Sequence, residues 1–199
     1  MTTDPYGHQV SNWMKQRLDE MDATLTSIDT RVANLQADAK KHAEKAVADI
    51  RGQRAAFEEA IRKQQQESEA AWAKGKTALE ANWASFETAV QNYIKQAQPM
   101  VEQQQAIFKA RAEAQRKAWE ETIITLRGKA ATFAAAKKQE LDAALTHLQG
   151  EADAAKSKLE ANRKAGEQSW AALKTALEES RVAFDKANQK AHEAFKKAA

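Results

Sequence analysis

The stretch QAQPMVEQQQ, Gln96 to Gln105, holds Pro99 at the middle of a 199-residue chain whose other proline is Pro5. Proline removes an i→i−4 hydrogen bond and pushes its predecessor out of the α region. A helix arriving from the N-terminal side therefore stops near Ala97, and Pro99 suits the first turn of the next one. Either the chain turns back here or a long helix kinks, and the architecture follows from that choice.

The residues on both sides are helix formers. Ala, Glu, Lys, Gln and Arg dominate, with six glycines and two prolines, and mean hydropathy is −0.74. Such side chains lose little rotamer freedom in a helix. The composition predicts an all-α chain. Its apolar content is rich in alanine, so it can bury a stripe more readily than a thick core.

The stripe begins as heptads. Met14, Leu18, Met21, Leu25, Ile28, Val32 and Leu35 alternate steps of four and three, the pattern of a seam that asks for a partner helix. Ala39, His42 and Ala46 continue it with small or polar groups. Sevenfold steps then recur at Trp72, Leu79 and Phe86, at Ile94, Val101 and Phe108, at Trp119, Leu126 and Phe133, and at Trp170, Leu177 and Phe184. The segments AAWAKGKTALEANWASF (70–86) and QSWAALKTALEESRVAF (168–184) read as degenerate internal repeats. Gly52, Gly75, Gly128 and Gly150 lie outside any Ser- or Asn-rich loop and read as soft points within helices.

A register test favours the turn. Folding the chain at Pro99 sets Leu79 against Trp119, Val90 against Phe108 and Leu25 against Leu173. The apolar-poor zone 36–49 then faces the apolar-poor zone 149–162. The expected architecture is a long antiparallel helical hairpin or coiled coil turning near Pro99, with a single kinked helical rod as the alternative. Its parts are a flexible 1–10, a first arm 11–97, a turn or kink at 98–101 and a second arm 102–197.

Chemistry is sparse. There is no cysteine, hence no disulfide and no thiolate ligand. Among the four histidines, His147 lies i,i+4 from Glu151, which reads as a solvated helix pair. No glycine-rich phosphate loop and no strained nucleophile turn occurs. These features point to a chain that is not an enzyme, with no metal and no cofactor. No run of eighteen apolar residues and no signal-peptide pattern is present, so the expected location is cytoplasmic.

Net charge is +3. Residues 1–99 carry 13 Lys and Arg against 14 Asp and Glu, whereas 100–199 carry 18 against 14. Lys186, Lys190, Lys196 and Lys197 make the last turns basic, as a helix C-terminus favours. Arg111, Arg116, Lys117 and Trp119 form the strongest basic patch with an aromatic. Trp119 lies on the stripe, which argues for core and against a nucleic-acid platform.

Segments of about 22 residues punctuated by Gly or Pro, at Gly52, Gly75, Pro99, Gly128 and Gly150, resemble apolipoprotein-type amphipathic helical repeat proteins. SWAALKTALEESRVAFDKANQKAHEAF, from Ser169, is similar to the tails of bacterial stress-associated coiled-coil proteins. The first likeness implies reversible coating of a lipid or other hydrophobic surface. Two functions are therefore expected. One is a non-enzymatic helical scaffold that self-associates into a homo-oligomer or binds a protein partner through Met14, Leu18, Met21, Leu25, Ile28, Val32 and Leu35. The other is an amphipathic coat on a membrane, lipid or granule surface, touching it through Trp72, Trp83, Trp119 and Trp170.

Overall fold

A computed structural model describes residues 5–35, 37–64, 69–97, 101–164 and 169–198. The described chain is all-helical and holds six helices: α1 (Pro5–Val32), α2 (Ala37–Gln64), α3 (Glu69–Ala97), α4 (Val101–Ala130), α5 (Ala135–Lys164) and α6 (Trp170–Ala198). All six run for 28 to 30 residues, or about 42–45 Å at about 1.5 Å per residue. Each carries a basic residue in its last turn, from Arg31 of α1 to Lys196 and Lys197 of α6, which complements the negative end of the helix dipole.

The two continuous arms expected from the sequence are each divided into three helices. The breaks after α1 and α4 fall where no glycine or proline marks them. At the end of α1, Ala33 N–H donates to Asp29 O, Asn34 to Arg31 O and Leu35 to Val32 O. The end of α4 repeats this: Ala131 donates to Arg127 O, Thr132 to Lys129 O and Phe133 to Ala130 O. Side chains help both exits, Asn34 Nδ2 binding Thr30 O at 2.8 Å and Thr132 Oγ1 binding Lys129 O at 2.7 Å. Gly52, Gly75, Gly128 and Gly150 all lie inside helices. The expected flexible segment 1–10 is helical from Pro5 onward. Pro99, on which the expected turn rests, lies outside the described residues.

The helices sort into two compact units that cut across the expected arms. One is Arg17–Arg111, holding the larger part of α1, all of α2 and α3, and the first turns of α4. The other joins residues up to Gln16 with Ala112–Ala199, holding the start of α1, the rest of α4, and α5 and α6. In the first unit α2 packs closely on α3, and in the second α5 packs on α6. Small buried residues allow the close approach: Ala43, Ala46 and Ala89 in the first, and Ala152, Ala155, Ala176 and Ala187 in the second.

Each core is built on the stripe. Met21, Ile28, Ile50, Phe57, Leu79, Phe86 and Phe108 are fully buried in the first unit. Trp119, Leu126, Leu141, Leu148, Leu177 and Phe184 are buried in the second. The two sets are related in sequence. Leu177 and Phe184 follow Leu79 and Phe86 by 98 positions, Leu148 follows Ile50, and Ala131 follows Ala33. The repeat noticed at 70–86 and 168–184 therefore extends over the helix breaks, and α4, α5 and α6 correspond to α1, α2 and α3.

Candidate functional site

The most chemically distinctive place in the molecule is buried in the first unit. Arg111, in the last α4 turn of that unit, is 0% exposed. Its Nη2 pairs with Oε1 of Glu87 on α3 and lies 3.3 Å from Oε2 of Glu20 on α1. Nη1 lies 3.4 Å from Glu87 Oε2. The guanidinium also sits over the Trp83 ring, with Cζ 5.5 Å from its centroid, within cation–π range. Trp83 in turn stacks on Phe86 at 5.6 Å and meets Phe57 edge-on at 6.5 Å.

The electrostatics explain why the charge survives inside. Burial alone would push the Arg111 pKa down, but the carboxylates of Glu87 and Glu20 more than offset it and hold it above its ordinary value. The guanidinium stays charged. Two anions around one cation are costly to desolvate and costly to separate once buried. The cluster thus fixes α1, α3 and α4 in one register. The Gln103 amide, donating to Ser27 O at 3.3 Å, ties α4 to α1 a little further along.

The second unit carries a polar element of its own. Gln115 Nε2 donates to Leu177 O at 3.1 Å in the interior, and Trp119 stacks on Phe184 with centroids 5.1 Å apart. Ser180 Oγ, Asn188 Oδ1 and the indole nitrogens of Trp119 and Trp170 are buried with no hydrogen-bond partner among the described residues. Outside this core, α5 and α6 border an open groove lined in part by His147, Glu151, Glu178, Val182 and Lys186. His147 and Glu151 thus share a wall. No group of three His, Cys, Asp or Glu that could hold a metal occurs among the described residues.

The expected association seam is partly covered within the chain. Met14, Met21, Ile28 and Val32 are buried, while Leu18, Leu25 and Leu35 are half-buried. Flanking ion pairs from α2 hold the same helix: Arg54 Nε to Asp22 at 2.8 Å and Arg51 Nη2 to Asp29 at 2.8 Å. Arg51 and Arg54 of α2 and Gln103 and Arg111 of α4 all reach polar groups of α1.

Of the expected surface aromatics, the fold buries Trp119 and Trp170 and half-buries Trp83. Trp119 is 1% and Trp170 5% exposed. Trp83 is half-buried against Phe57, Phe86 and Arg111. The side chain of Trp72 lies outside the described residues. The basic patch read around Arg111 dissolves for the same reason, since Arg111 and Trp119 both point inward. The Arg111 cluster was missed because nothing in KARAEAQRKAWEE (109–121) distinguishes a buried arginine from its exposed neighbour Arg116. The stripe phase was the available signal, because Phe108, Arg111, Gln115 and Trp119 follow one another at helical spacing.

Comparison with known proteins finds no matching family, no similar curated protein and no similar solved structure.

Proposed function

We propose that this chain is a non-enzymatic helical scaffold that works by binding protein, including its own copies. The observation that carries the reading is where the stripe goes. Among the described residues the seam, phenylalanines and tryptophans are buried or half-buried, and the large apolar groups left exposed are Val101, Ile124 and Val182. A protein whose apolar groups are mostly covered when folded has little of its stripe to offer a lipid surface, and Val101, Ile124 and Val182 remain as apolar groups for a protein contact. No helix among the described residues is long and apolar enough to cross a membrane.

The second reading is an amphipathic coat on a lipid or granule surface. It is favoured by the unsatisfied polar atoms at Ser180, Asn188, Trp119 and Trp170. Each such group weakens the interior by about 1–3 kcal/mol, so α4 and α6 could exchange protein neighbours for a lipid surface at reduced cost. In that case the core tryptophans become the lipid-facing groups.

Tryptophan emission with and without anionic vesicles at low salt separates the two. The scaffold reading expects a blue-shifted maximum that lipid does not move. A red-shifted maximum that moves to the blue on adding vesicles reverses the order of the readings.

A further inference from the structure

Neither unit is complete within one half of the chain. The first unit takes Gln103, Phe108 and Arg111 from beyond Pro99. The second takes Met14 and Gln16 from α1. The halves correspond at an offset of 98 positions, so each unit is built from matching segments contributed in opposite proportion. Such an arrangement raises a recognition problem. Two related halves with matching apolar stripes would also be able to pair with themselves.

The residues around the buried charge resolve that problem. Most core positions keep an apolar residue across the repeat, as Leu79 and Leu177, Phe86 and Phe184, or Ile28 and Leu126 do. The cation and its aromatic partner are exchanged. Arg111 corresponds to Trp13, and Trp83 corresponds to Arg181. In the first unit the arginine comes from the C-terminal half and the tryptophan from the N-terminal half. In the second unit, the C-terminal half again brings the arginine, Arg181, which is 4% exposed, and the N-terminal half again brings the tryptophan. One acid differs as well: Glu20 corresponds to Ala118, whereas Glu87 corresponds to another acid, Asp185.

We propose that this exchange is a pairing code. It makes the N-terminal half complementary to the C-terminal half and to nothing else in the chain, so a second copy of the protein associates by reciprocal exchange of unlike halves. This deepens the self-association part of the scaffold reading. Two N-terminal halves would set Trp13 against Trp83 and bury Glu20 and Glu87 without the Arg111 guanidinium. Two C-terminal halves would bring Arg111 against Arg181. Both mismatches cost more than the matched pair, which is how discrimination against a wrong partner is built.

The test uses the whole chain with a protease site inserted between Gln98 and Pro99. The folded protein is cleaved, then unfolded in urea and refolded, and species are identified by native mass spectrometry. The code expects the N:C pair as the sole dimeric species of two halves, both before and after refolding. Halves that separate on cleavage, or that refold into N:N and C:C pairs beside N:C, overturn it. Trp13→Arg supplies the converse. It gives the N-terminal half its own cation at the Arg111 position, so refolding now yields N:N pairs in a share comparable to N:C. If Trp13→Arg still refolds only as N:C, the Trp/Arg exchange is not the code. Chemical crosslinking of the uncleaved chain is a separate measurement of self-association. Its failure removes the scaffold's self-association and leaves the N:C outcome standing.

Discussion

Arg111 on α4 reaches Glu20 on α1, 91 positions earlier in sequence, across 3.3 Å of fully buried interior. This contact joins the two halves of the chain at a place that water does not reach. Removing the cation leaves two carboxylates in the core without the guanidinium they share. Arg111→Leu is expected to destabilise the fold by about 3–5 kcal/mol. Replacing Glu20, Glu87 and Arg111 together by leucine is expected to recover most of that loss, because a well-packed apolar triad needs no desolvation of charge. Urea unfolding measures both. A single variant as stable as the parent would remove the cluster from any account of the fold.

Tyr93, on α3, gives the chain an alkaline limit. Burial raises its pKa, and nearby Arg31 lowers it by less. A raised pKa in the folded state means that the folded chain holds this proton more tightly than the unfolded chain does. The stability linked to it is fully present below about pH 10 and is lost as pH climbs through the folded value. Two tyrosines are present in the chain. Phenolate absorbance is expected to show one of them titrating late, and Tyr93→Phe is expected to abolish the late step. A late step that survives Tyr93→Phe belongs to another group and refutes the assignment.

The stack of Trp119 on Phe184 bears on the second unit alone. Phe184→Ala is expected to cost about 3–5 kcal/mol through lost burial and the cavity left behind. Trp119 emission should shift to the red as water reaches the ring. Phe184→Leu keeps most of the volume and is expected to cost roughly half as much or less, since volume-conserving changes run below about 1.5 kcal/mol. Equal effects of the two substitutions would show that aromatic contact, not filled space, carries the stability.

Surface pairs are expected to behave differently from the buried one. Arg54 has its pKa raised by its hydrogen bond to Asp22, against a smaller penalty from burial. Both partners remain solvated in part, so a double-mutant cycle on Arg54 and Asp22 should give less than about 1 kcal/mol, falling as salt is added. A coupling as large as that of Arg111, or one indifferent to salt, would contradict this.

What the sequence revealed and what it hid follow from the same physics. Helix class was plain because Ala, Glu, Lys and Gln dominate, and the core phase was plain because Trp72, Leu79 and Phe86 recur as Trp170, Leu177 and Phe184. The helix ends at Ala33 and Ala131 were hidden, because Ala-Asn-Leu and Ala-Thr-Phe are not turn text. The exit comes from shifted backbone bonds and from the Asn34 and Thr132 side chains. The start of α6 has a local side-chain cap, Ser169 Oγ accepting from Ala172 N–H. The heptads from Met14 to Leu35 marked the buried face of α1, with Met14, Met21, Ile28 and Val32 inside. The fate of Arg111 was not legible either. Burial of a charge depends on acids 24 and 91 positions away, and no local window contains them.

The division of α1 between two units has a consequence for synthesis on the ribosome. The unit spanning Arg17–Arg111 has all of its residues once Arg111 has been made. The other needs Gln16 and its predecessors together with the last helix. At about 5–20 residues per second, the remaining chain takes roughly 4–18 s to appear. Throughout that time the opening turns of α1, with Met14 on their apolar face, are tethered to a finished unit and still lack their own neighbours. The nascent protein therefore passes through a stage with one end folded and an apolar helix in waiting, and that stage is where a chaperone or a premature second copy would find it.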